Sequence, residues 1–346
     1  MPAEQVEVAE AQVSAPPVAA RLFSWRTGIS FLVAGVIVAV AIKSGGIDWG
    51  STWNRLSHAN LRIYLLALLC FPAAMVVRAV RWQLLLRNAG EHAGTFSLFE
   101  IIYASFFVNC VIPAKMGDVY RAFLVRQREN VGASKALGTI IAERLLDLCV
   151  LMALLIITGA ITFHNRVPRS LVPYVIAGGL LCAVGIGLVL LMAMGGGKRY
   201  LHRLPVRVVE RYENFRQGAV RSLSPWPFVT LLTVLVWCLE GTRLGLVVAA
   251  LDLQSLMQPA QFLLVALSAA LLTTVPFTPG GLGLVEGGMI GVLAAVADVP
   301  HNSGAAITVL DRSITYGSVA VVGFVFFALT HVRQPRAARL AGQTGA

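Results

Sequence analysis

The sequence predicts an all-α, polytopic membrane protein, and its composition, its apolar segments and the placing of its basic residues support this fold class. Of its 346 residues, 57% are hydrophobic and 13% are charged, and the mean hydropathy is +0.75. A typical soluble domain is close to half apolar and about a quarter charged, so this chain lies outside that class. We therefore expect several transmembrane helices joined by short loops.

The net charge of +11 raises the question of nucleic-acid binding. Lysine and arginine cluster in the loops between apolar runs, as they do in cytoplasmic loops, and do not alternate with aromatic residues on a soluble face. We expect no nucleic-acid partner. The five cysteines lie in apolar segments without C-x-x-C spacing, and the histidines lie at span ends or in loops, so we predict no metal site, disulfide framework or cofactor.

The chain divides into an N-terminal tail, a membrane domain and a C-terminal tail. Residues 1–20 are acidic, contain adjacent prolines and lack aromatic residues, which predicts disorder. Residues 21–332 form the predicted membrane domain and residues 333–346 a basic tail. The first apolar run ends in Ala39-Val40-Ala41, which imitates a signal-peptidase site, but the acidic leader and the lack of a later soluble domain favour an uncleaved span.

Nine apolar segments follow one another, and three of them look short for a crossing. About 20 helical residues are needed to cross a hydrocarbon core of about 30 Å. The short segments are Leu98–Ile112, Phe262–Val275 and Val285–Ala297. The six predicted full spans are Gly28–Ile42, Ile63–Val77, Leu137–Phe163, Leu171–Met194, Phe228–Leu251 and Ile307–Thr330.

The distribution of basic residues predicts that Leu98–Ile112 re-enters rather than crosses. With a cytoplasmic N-terminus and a re-entrant segment, most lysines and arginines, including Arg78 and Arg81, fall in cytoplasmic loops. A full crossing would move the two most basic loops outside, against the positive-inside rule. For the second short pair only the segment lengths and a Pro-Gly break favour re-entry. We predict two broken helical hairpins that enter a bacterial or archaeal plasma membrane from opposite faces, with both termini cytoplasmic.

The stretch Val275–Met289 (V-P-F-T-P-G-G-L-G-L-V-E-G-G-M) breaks an apolar segment in two. Its prolines and its glycines, among them Gly280 and Gly281, end the incoming helix, and a new helix can begin at Leu282–Leu284. Irregular backbone at this depth must be buried in protein or line a wet cavity, because lipid leaves its polar groups unsatisfied. Glu286 in the first turn either caps its own helix or belongs to a working site.

The first broken segment carries a polar cluster between Asn109 and Ala122 (N-C-V-I-P-A-K-M-G-D-V-Y-R-A). Its proline ends the helix, Gly117 permits the turn and Asp118 can cap the following helix. Lys115 and Arg121 would flank that helix N-terminus and offer a seat for a phosphate head group, or serve only as cytoplasmic topology signals.

Ionisable residues inside the predicted spans are a further signal, because charge in hydrocarbon is expensive and usually faces a partner, an interior or water. Together with Glu286 they comprise five acids and three arginines: Glu143, Arg144, Asp147, Glu240, Arg243, Asp311 and Arg312. Ion pairing is the structural alternative for each, but it leaves about two acids over, so the set predicts a polar interior pathway. Interrupted helices in two halves of a chain are typical of a transport site built on an inverted repeat. The sequence shows no repeat that supports this, and re-entrant loops can also be packing devices.

Residues Arg203–Leu223 combine apolar and basic residues with a helical period. Such a helix would lie on the inner leaflet against anionic lipid. Anchoring and recognition are both consistent with this pattern.

Four ordered motifs resemble a known family. They are G-D-V-Y-R-A-F-L at Gly117–Leu124, A-E-R-L-L-D-L at Ala142–Leu148, P-G-G-L-G-L-V-E-G at Pro279–Gly287 and D-R-S-I-T-Y at Asp311–Tyr316. With matching spans from about Arg21 to Val332, this order resembles the transmembrane region of lysylphosphatidylglycerol synthase, a flippase-like membrane family. The resemblance implies a helical membrane fold and a role in flipping aminoacylated phosphatidylglycerol or in polyprenyl-linked glycan and hopanoid pathways.

The resemblance also implies functional positions, and one departure from the family bears on function. The implied positions are Gly117, Asp118, Arg121, Glu143, Arg144, Asp147, Pro279, Gly280, Gly281, Gly283, Glu286 and Arg312. Lys115, Glu240 and Arg243 rest on the residues alone. Synthase members carry a soluble aminoacyl-transferase domain, and nothing after Thr330 can form one. We therefore expect this chain not to be the lysyl transferase.

Three hypotheses for function follow. The leading one is a lipid translocator, in which helix N-termini and arginines hold an anionic or lipid-linked head group in a polar cavity. The second is an intramembrane enzyme acting on a lipid head group, with Glu143, Asp147 or Glu286 as general acid or base. The third is an accessory membrane subunit that partners a glycosyltransferase or a lipid synthase.

Overall fold

The computed structural model describes Leu32 and residues 47–112, 116–163, 172–195, 205–224, 226–274 and 278–330. These residues form helices and connecting turns, with no strand among them. The first predicted span apart from Leu32, both predicted tails, Lys115 and the first residues of the Arg203–Leu223 segment lie outside the described residues.

Eleven α-helices occur in the part of the chain that the structure describes. They are α1 (Trp49–Ser57), α2 (Leu61–Asn88), α3 (Thr95–Val111), α4 (Met116–Glu129), α5 (Ala133–Thr162), α6 (Val172–Ala193), α7 (Val206–Arg221), α8 (Trp226–Ala250), α9 (Pro259–Thr273), α10 (Leu284–Ala297) and α11 (His301–Ser318). A 3-10 turn at Pro279–Gly281 precedes α10, and a π-helical turn at Val319–Gly323 continues α11 to Thr330.

Several helices are long and apolar enough to cross a membrane. Within the described residues these are Leu61–Asn88, Ala133–Thr162, Trp226–Ala250, Pro279–Ala297 and His301–Thr330. Large apolar side chains such as Ile156, Leu180 and Leu190 are exposed on the outside of the bundle, as expected where lipid is the solvent. The predicted polytopic helical membrane fold is confirmed.

The short segments belong to two helical hairpins. In the first hairpin, α3 and α4 are antiparallel, and Arg128 donates to Glu100 across the pair at 2.6 Å. In the second hairpin, α9 and α10 are antiparallel, and Nε2 of Gln261 donates to the carbonyl of Val296 at 2.9 Å. The breaks lie where the sequence predicts them, since α9 ends at Thr273 and α10 begins at Leu284.

The hairpins enter the bundle from opposite ends. Helices α2 and α8 are antiparallel, with the amide of Asn60 bonded to the carbonyl of Ala250 at one end and Asn88 bonded to the carbonyl of Ser222 at the other. The first hairpin opens at the Asn88 end, where Gln83 bonds to the carbonyl of Ala93. The second opens at the Asn60 end, because α9 begins shortly after Ala250.

The hairpin tips meet inside the bundle. The hydroxyl of Tyr316 on α11 donates to the carbonyl of Cys110 in the first tip at 3.2 Å. A Cβ placed on Gly280 in the second tip would lie 3.4 Å from the Cα of Cys110. Gly280 has a φ of 59° and Gly281 a φ of 74°, conformations that favour glycine, so this sequence can make the tight second tip.

Local sequence explains where the long helices begin. The Asn60 side chain accepts from the amides of Arg62 and Ile63 and so satisfies two N-terminal donors of α2. Pro259 stands in the first turn of α9, where a missing N–H leaves no hydrogen bond unmade. Pro72 lies inside α2 and does not end it, as membrane helices often allow.

The predicted amphipathic segment is a helix. It forms α7, which packs on α5 where the backbones approach at Gly138 and Gly218. Arg216 pairs with Glu213 on the same helix and donates to the carbonyl of Met192 on α6. Its contact with a lipid surface stays a prediction.

Gly117 is the position where the first hairpin has least space. A Cβ on Gly117 would lie 2.0 Å from the carbonyl oxygen of Ser105, so Gly117→Ala must push α4 away from α3. We expect a loss of about 1–3 kcal/mol in the free energy of unfolding, as for other overpacked sites. Thermal unfolding in detergent measures it. Gly291→Ala is the matched control, because nothing lies within 4 Å of the added methyl group, and a loss of equal size there would contradict the packing argument.

Candidate functional site

Arg81 on α2 is the centre of a buried network of charges. Its side chain is fully buried and its guanidinium donates to Oε1 of Glu143 at 2.7 Å and to Oγ1 of Thr233 at 2.7 Å. The carboxylate of Asp147 accepts from both Nη1 and Nη2 of the same group. One guanidinium thus joins α2, α5 and α8.

Arg121 on α4 lies behind this network. It is 1% exposed, stacks on the ring of Trp82 with 3.6 Å between its Cζ and the ring centroid, and reaches Oε2 of Glu143 at 2.9 Å. Stacking and ion pairing suit a buried guanidinium. Arg121 therefore does not face open space.

Arg144 on α5 is bound by the tip of the first hairpin. Its Nε and Nη2 atoms donate to the two oxygens of Asp118 at 3.2 and 2.9 Å. Asp147, one turn along α5, lies 3.7 Å from Nη1. The Arg144 side chain is 35% exposed, the largest fraction among the paired arginines within the bundle.

A second network joins α2, α8 and α11. Arg78 donates to Oε1 of Glu240 at 3.2 Å, and Oε2 of the same carboxylate accepts from Nη2 of Arg243 at 3.0 Å. Arg243 also donates to Asp311. Two arginines and two acidic residues therefore alternate in a continuous series of ion pairs through the interior.

Glu286 has two partners at the second hairpin tip. Its Oε2 accepts from the amide of Gly283 at 2.6 Å, which caps α10, and its Oε1 accepts from Nε of Arg312 at 2.7 Å. Nη2 of Arg312 donates to the carbonyl of Gly280 at 3.0 Å. The two roles that the sequence left open for Glu286, a cap and a member of the charged interior, are thus combined in one carboxylate.

A cavity of about 300 Å³ lies between the hairpin tips and the long helices. Its wall combines charged side chains of both networks with the aromatic rings of Phe71, Phe106, Trp237 and Tyr316. Small residues such as Ala266 and Ala269 complete it. A polar group with an apolar extension would find matching surfaces here.

The structure brings most of the predicted site residues together. Those in the cavity wall are Asp118, Arg144, Asp147, Glu240, Arg243, Gly280, Gly281, Asp311 and Arg312. Glu143 and Arg121 are buried behind this wall, Glu286 supports Arg312, and Gly117 packs against α3. Lys115 lies outside the described residues.

Two expectations from the sequence are wrong. Arg78 and Arg81 do not lie in a cytoplasmic loop, because α2 runs on to Asn88 and both side chains are buried inside the bundle. The predicted surplus of about two acids does not exist either. Arg78 pairs with Glu240, and Arg81 pairs with Glu143 and Asp147.

Sequence reasoning missed several cavity residues as well as Arg78. Trp237 and Phe106 are ordinary apolar residues of their segments, and nothing in their spacing separates them from lipid-facing positions. Asn109 belongs to the polar cluster that ends at Ala122, and its side chain accepts from the amide of Gly117 at 2.8 Å. Arg78 and Arg81 lie one turn apart directly after the apolar run Ile63–Val77, and this position alone does not distinguish them from residues of a loop.

Comparison with known protein families gives a match over most of the chain. Residues 28–323 match the family described as lysylphosphatidylglycerol synthase TM region. The chain belongs to this family. All four motif blocks of the lysylphosphatidylglycerol synthase TM region family lie in this match, and the helical membrane fold that the resemblance implies is the one described above.

Individual relatives are membrane proteins of archaea. A UPF0104 membrane protein of Methanocaldococcus jannaschii is 29% identical over 223 residues, which cover 64% of this chain and 93% of that protein. A UPF0104 membrane protein of Methanothermobacter thermautotrophicus is 26% identical over 323 residues and covers 86% of this chain and 93% of that protein.

One relative has a name that states an activity. The glycosyltransferase AglD of Haloferax volcanii is 23% identical over 335 residues, covering 85% of this chain and 53% of that protein. The similarity thus involves about half of that protein.

Removal of Arg81 tests whether the buried network holds the bundle together. Arg81→Met leaves Glu143 and Asp147 without their shared cation, and breaking a buried pair typically costs about 3–5 kcal/mol of unfolding free energy. Thermal unfolding in detergent measures the loss. Arg87→Met on the same helix, where the side chain is exposed, should stay within about 0.5 kcal/mol. Adding Asp147→Asn to Arg81→Met should restore part of the loss, and a double variant no more stable than the single one would contradict the account.

Proposed function

We propose that this protein moves a lipid with a polar head group between the leaflets of the membrane. The observation that carries the proposal is the charged cavity of about 300 Å³ where the tips of two opposed hairpins meet. Interrupted helices that meet beside a polar site at the middle of a bundle are the usual architecture of transporters. The head group would occupy the cavity while the acyl chains remain in lipid.

The charged wall explains how such a cavity could lower the barrier to transfer. A polar head group loses its hydration in hydrocarbon at a cost of several kcal/mol, and fixed charges that replace water offset this cost. Arg144 is the most accessible of the cavity arginines. Its partner Asp118 belongs to the hairpin tip, so movement of the tip would change the charge offered to a head group.

A second candidate is an accessory membrane subunit that serves a glycosyltransferase or a lipid synthase. The similarity to about half of the protein named glycosyltransferase AglD favours it. Such a subunit would hold a lipid substrate for a partner without changing its leaflet. Co-purification of an enzyme together with normal lipid sidedness after deletion of the gene would support this candidate over translocation.

We further propose that the Asn88 end of the bundle faces the cytoplasm. The turns and helix ends there carry Arg87, Arg126, Arg128 and Lys135, and α7 adds further arginines, whereas Arg55 and Arg62 lie towards the Asn60 end. The excess of basic residues agrees with the positive-inside rule. The described end of α11, at Thr330, would then be cytoplasmic.

Cysteine labelling tests this orientation. In a variant without the five native cysteines, Asn130→Cys lies at the Asn88 end and Asp298→Cys at the Asn60 end, and both positions are exposed. In intact cells a membrane-impermeant maleimide should label Asp298→Cys and should label Asn130→Cys only after permeabilisation. The reverse pattern would place the basic loops outside and refute the orientation.

A reconstituted assay tests translocation. Proteoliposomes containing the full chain and fluorescent phosphatidylglycerol or a fluorescent polyprenyl phosphate are treated with dithionite, which quenches only the outer leaflet. The neutral pair Asp118→Asn with Arg144→Gln should slow transfer by about 10-fold or more, since it removes a charge-assisted contact. Glu213→Gln with Arg216→Gln neutralises an ion pair on α7 outside the cavity wall and should leave the rate unchanged. Failure of every tested lipid to move, or equal rates in both pairs, would count against the proposal.

A further inference from the structure

The described helices contain two halves with the same order of elements. A long helix, a broken hairpin and a second long helix form the first half, α2 to α5, and recur in the second half, α8 to α11. Helices α4 and α10 both have 14 residues, and α5 has 30 residues, as has the continuous helix His301–Thr330. A single constant difference in residue number, or shift, relates the first and last residues of α4 to those of α10. The same difference relates the ends of α5 to those of the helix His301–Thr330.

Backbone conformations repeat at equivalent positions. The left-handed residue Asn130 that follows α4 corresponds under this shift to the left-handed Asp298 that follows α10. Before the tips a slightly smaller shift applies, and it carries Gly90 onto Asp252, both with positive φ. The longer second tip accounts for the difference between the two shifts.

The halves are inverted relative to each other. Under the repeat, Asn60 corresponds to Ser222 and Asn88 corresponds to Ala250. The contact of Asn60 with Ala250 at one end of the bundle is therefore equivalent to the contact of Asn88 with Ser222 at the other end. Arg78 and Glu240 are 162 residues apart, which is the shift that holds before the tips, and they pair with each other. A residue that contacts its own equivalent lies beside a two-fold axis.

The structure therefore contains an inverted repeat that the sequence alone did not reveal. Its sequence trace is small: Glu143-Arg144 corresponds to Asp311-Arg312, and Asp118 corresponds to Glu286. The ion pairs of these residues repeat as well, because Asp118 binds Arg144 as Glu286 binds Arg312. Arg81 binds Glu143 as Arg243 binds Asp311.

We propose that Arg144 and Arg312 are two equivalent stations for one phosphate group of the transported lipid. The inference rests on the proposed function and deepens it by naming the two groups that would bind the phosphate. Both arginines line the same cavity, and each binds a residue at the tip of one hairpin. Each is held by a carboxylate of its own half, and the inverted repeat relates one station to the other.

The geometry of both arginines suits a phosphate. Arg144 presents Nε and Nη2 side by side to the two oxygens of Asp118. This fork matches two phosphate oxygens equally well. Arg312 presents Nε to Glu286 and Nη2 to the carbonyl of Gly280. A phosphate can thus take the place of the tip carboxylate at either arginine.

Each displaced carboxylate has a hydrogen-bond donor near it in its own half. Arg121 lies one turn after Asp118 on α4, and its Nε makes no hydrogen bond among the described residues. Glu286 keeps the amide of Gly283. A phosphate at either station would therefore leave the displaced carboxylate close to a donor of its own half, which reduces the cost of displacing it in the interior.

Lipid binding to the full chain in nanodiscs tests the two stations. The probes are phosphatidylglycerol and, as a phosphate-free control, a glucosyl diacylglycerol, with dissociation constants measured by native mass spectrometry. The variants are Asp118→Asn with Arg144→Gln, Glu286→Gln with Arg312→Gln, and all four substitutions together. Each pair is charge-neutral, so no unpaired charge is left to unfold the chain. Glu213→Gln with Arg216→Gln is the control pair.

The expected result is selective binding of phosphatidylglycerol that weakens on the order of 10-fold to 100-fold in each neutral pair and is lost in the fourfold variant. Asp118→Asn alone should tighten binding, because it removes the competitor of the phosphate and keeps Arg144. A purely structural ion pair predicts no tightening.

Several outcomes would overturn the proposal: unchanged binding in either neutral pair, equal binding of the glucosyl lipid, or unchanged or weaker binding in Asp118→Asn. The dithionite assay separates the two proposals. Binding that follows the expected order without transfer would leave the stations in place and reject translocation. Transfer that persists in the fourfold variant would reject the two stations and leave the translocation proposal in place.

Discussion

Guanidinium and carboxylate groups inside the bundle must be paired, because an uncompensated charge in a low-dielectric interior costs several kcal/mol. This constraint explains why helices distant in sequence meet where they do. Arg81 fixes α2 against α5 and α8, and Arg243 fixes α8 against α11. The hairpin tips are tied to the long helices by the same chemistry, through Asp118 and Glu286.

Pairing on this scale does not fill the interior. The side chains that satisfy one another stand around a cavity of about 300 Å³ rather than a solid core. Apolar packing supplies the rigidity elsewhere, with Trp82, Leu98 and Ile101 fully buried among α2, α3 and their neighbours. The molecule thus combines a packed scaffold with a charged central space.

The sequence was sufficient to predict the helical membrane fold, the two hairpins and their opposite entry. Composition and segment length determine the first, and the Pro-Gly breaks together with the distribution of basic residues indicate the others. It was also sufficient to select Arg144, Asp147, Glu240 and Asp311, since a charge within an apolar span is conspicuous.

Other features could not be predicted because they depend on tertiary partners. Arg78 and Arg81 follow the apolar run Ile63–Val77, so hydropathy ends the span before them, and only the carboxylates on α5 and α8 explain their burial. The inverted repeat was missed because helix lengths and turn conformations preserve it, whereas few side chains do. Trp237 and Phe106 acquire their role only from the helices that surround them.

Helix α6 lies between the two halves and has no counterpart in either of them. The first half begins and ends at the Asn60 end, whereas the second begins at the Asn88 end, so the intervening chain must traverse the bundle an odd number of times. The single passage of α6 meets this parity requirement. Excision of α6 would force the second half to insert in the opposite orientation. The two halves would then no longer be inverted relative to each other, although every residue of the cavity wall remained in the chain.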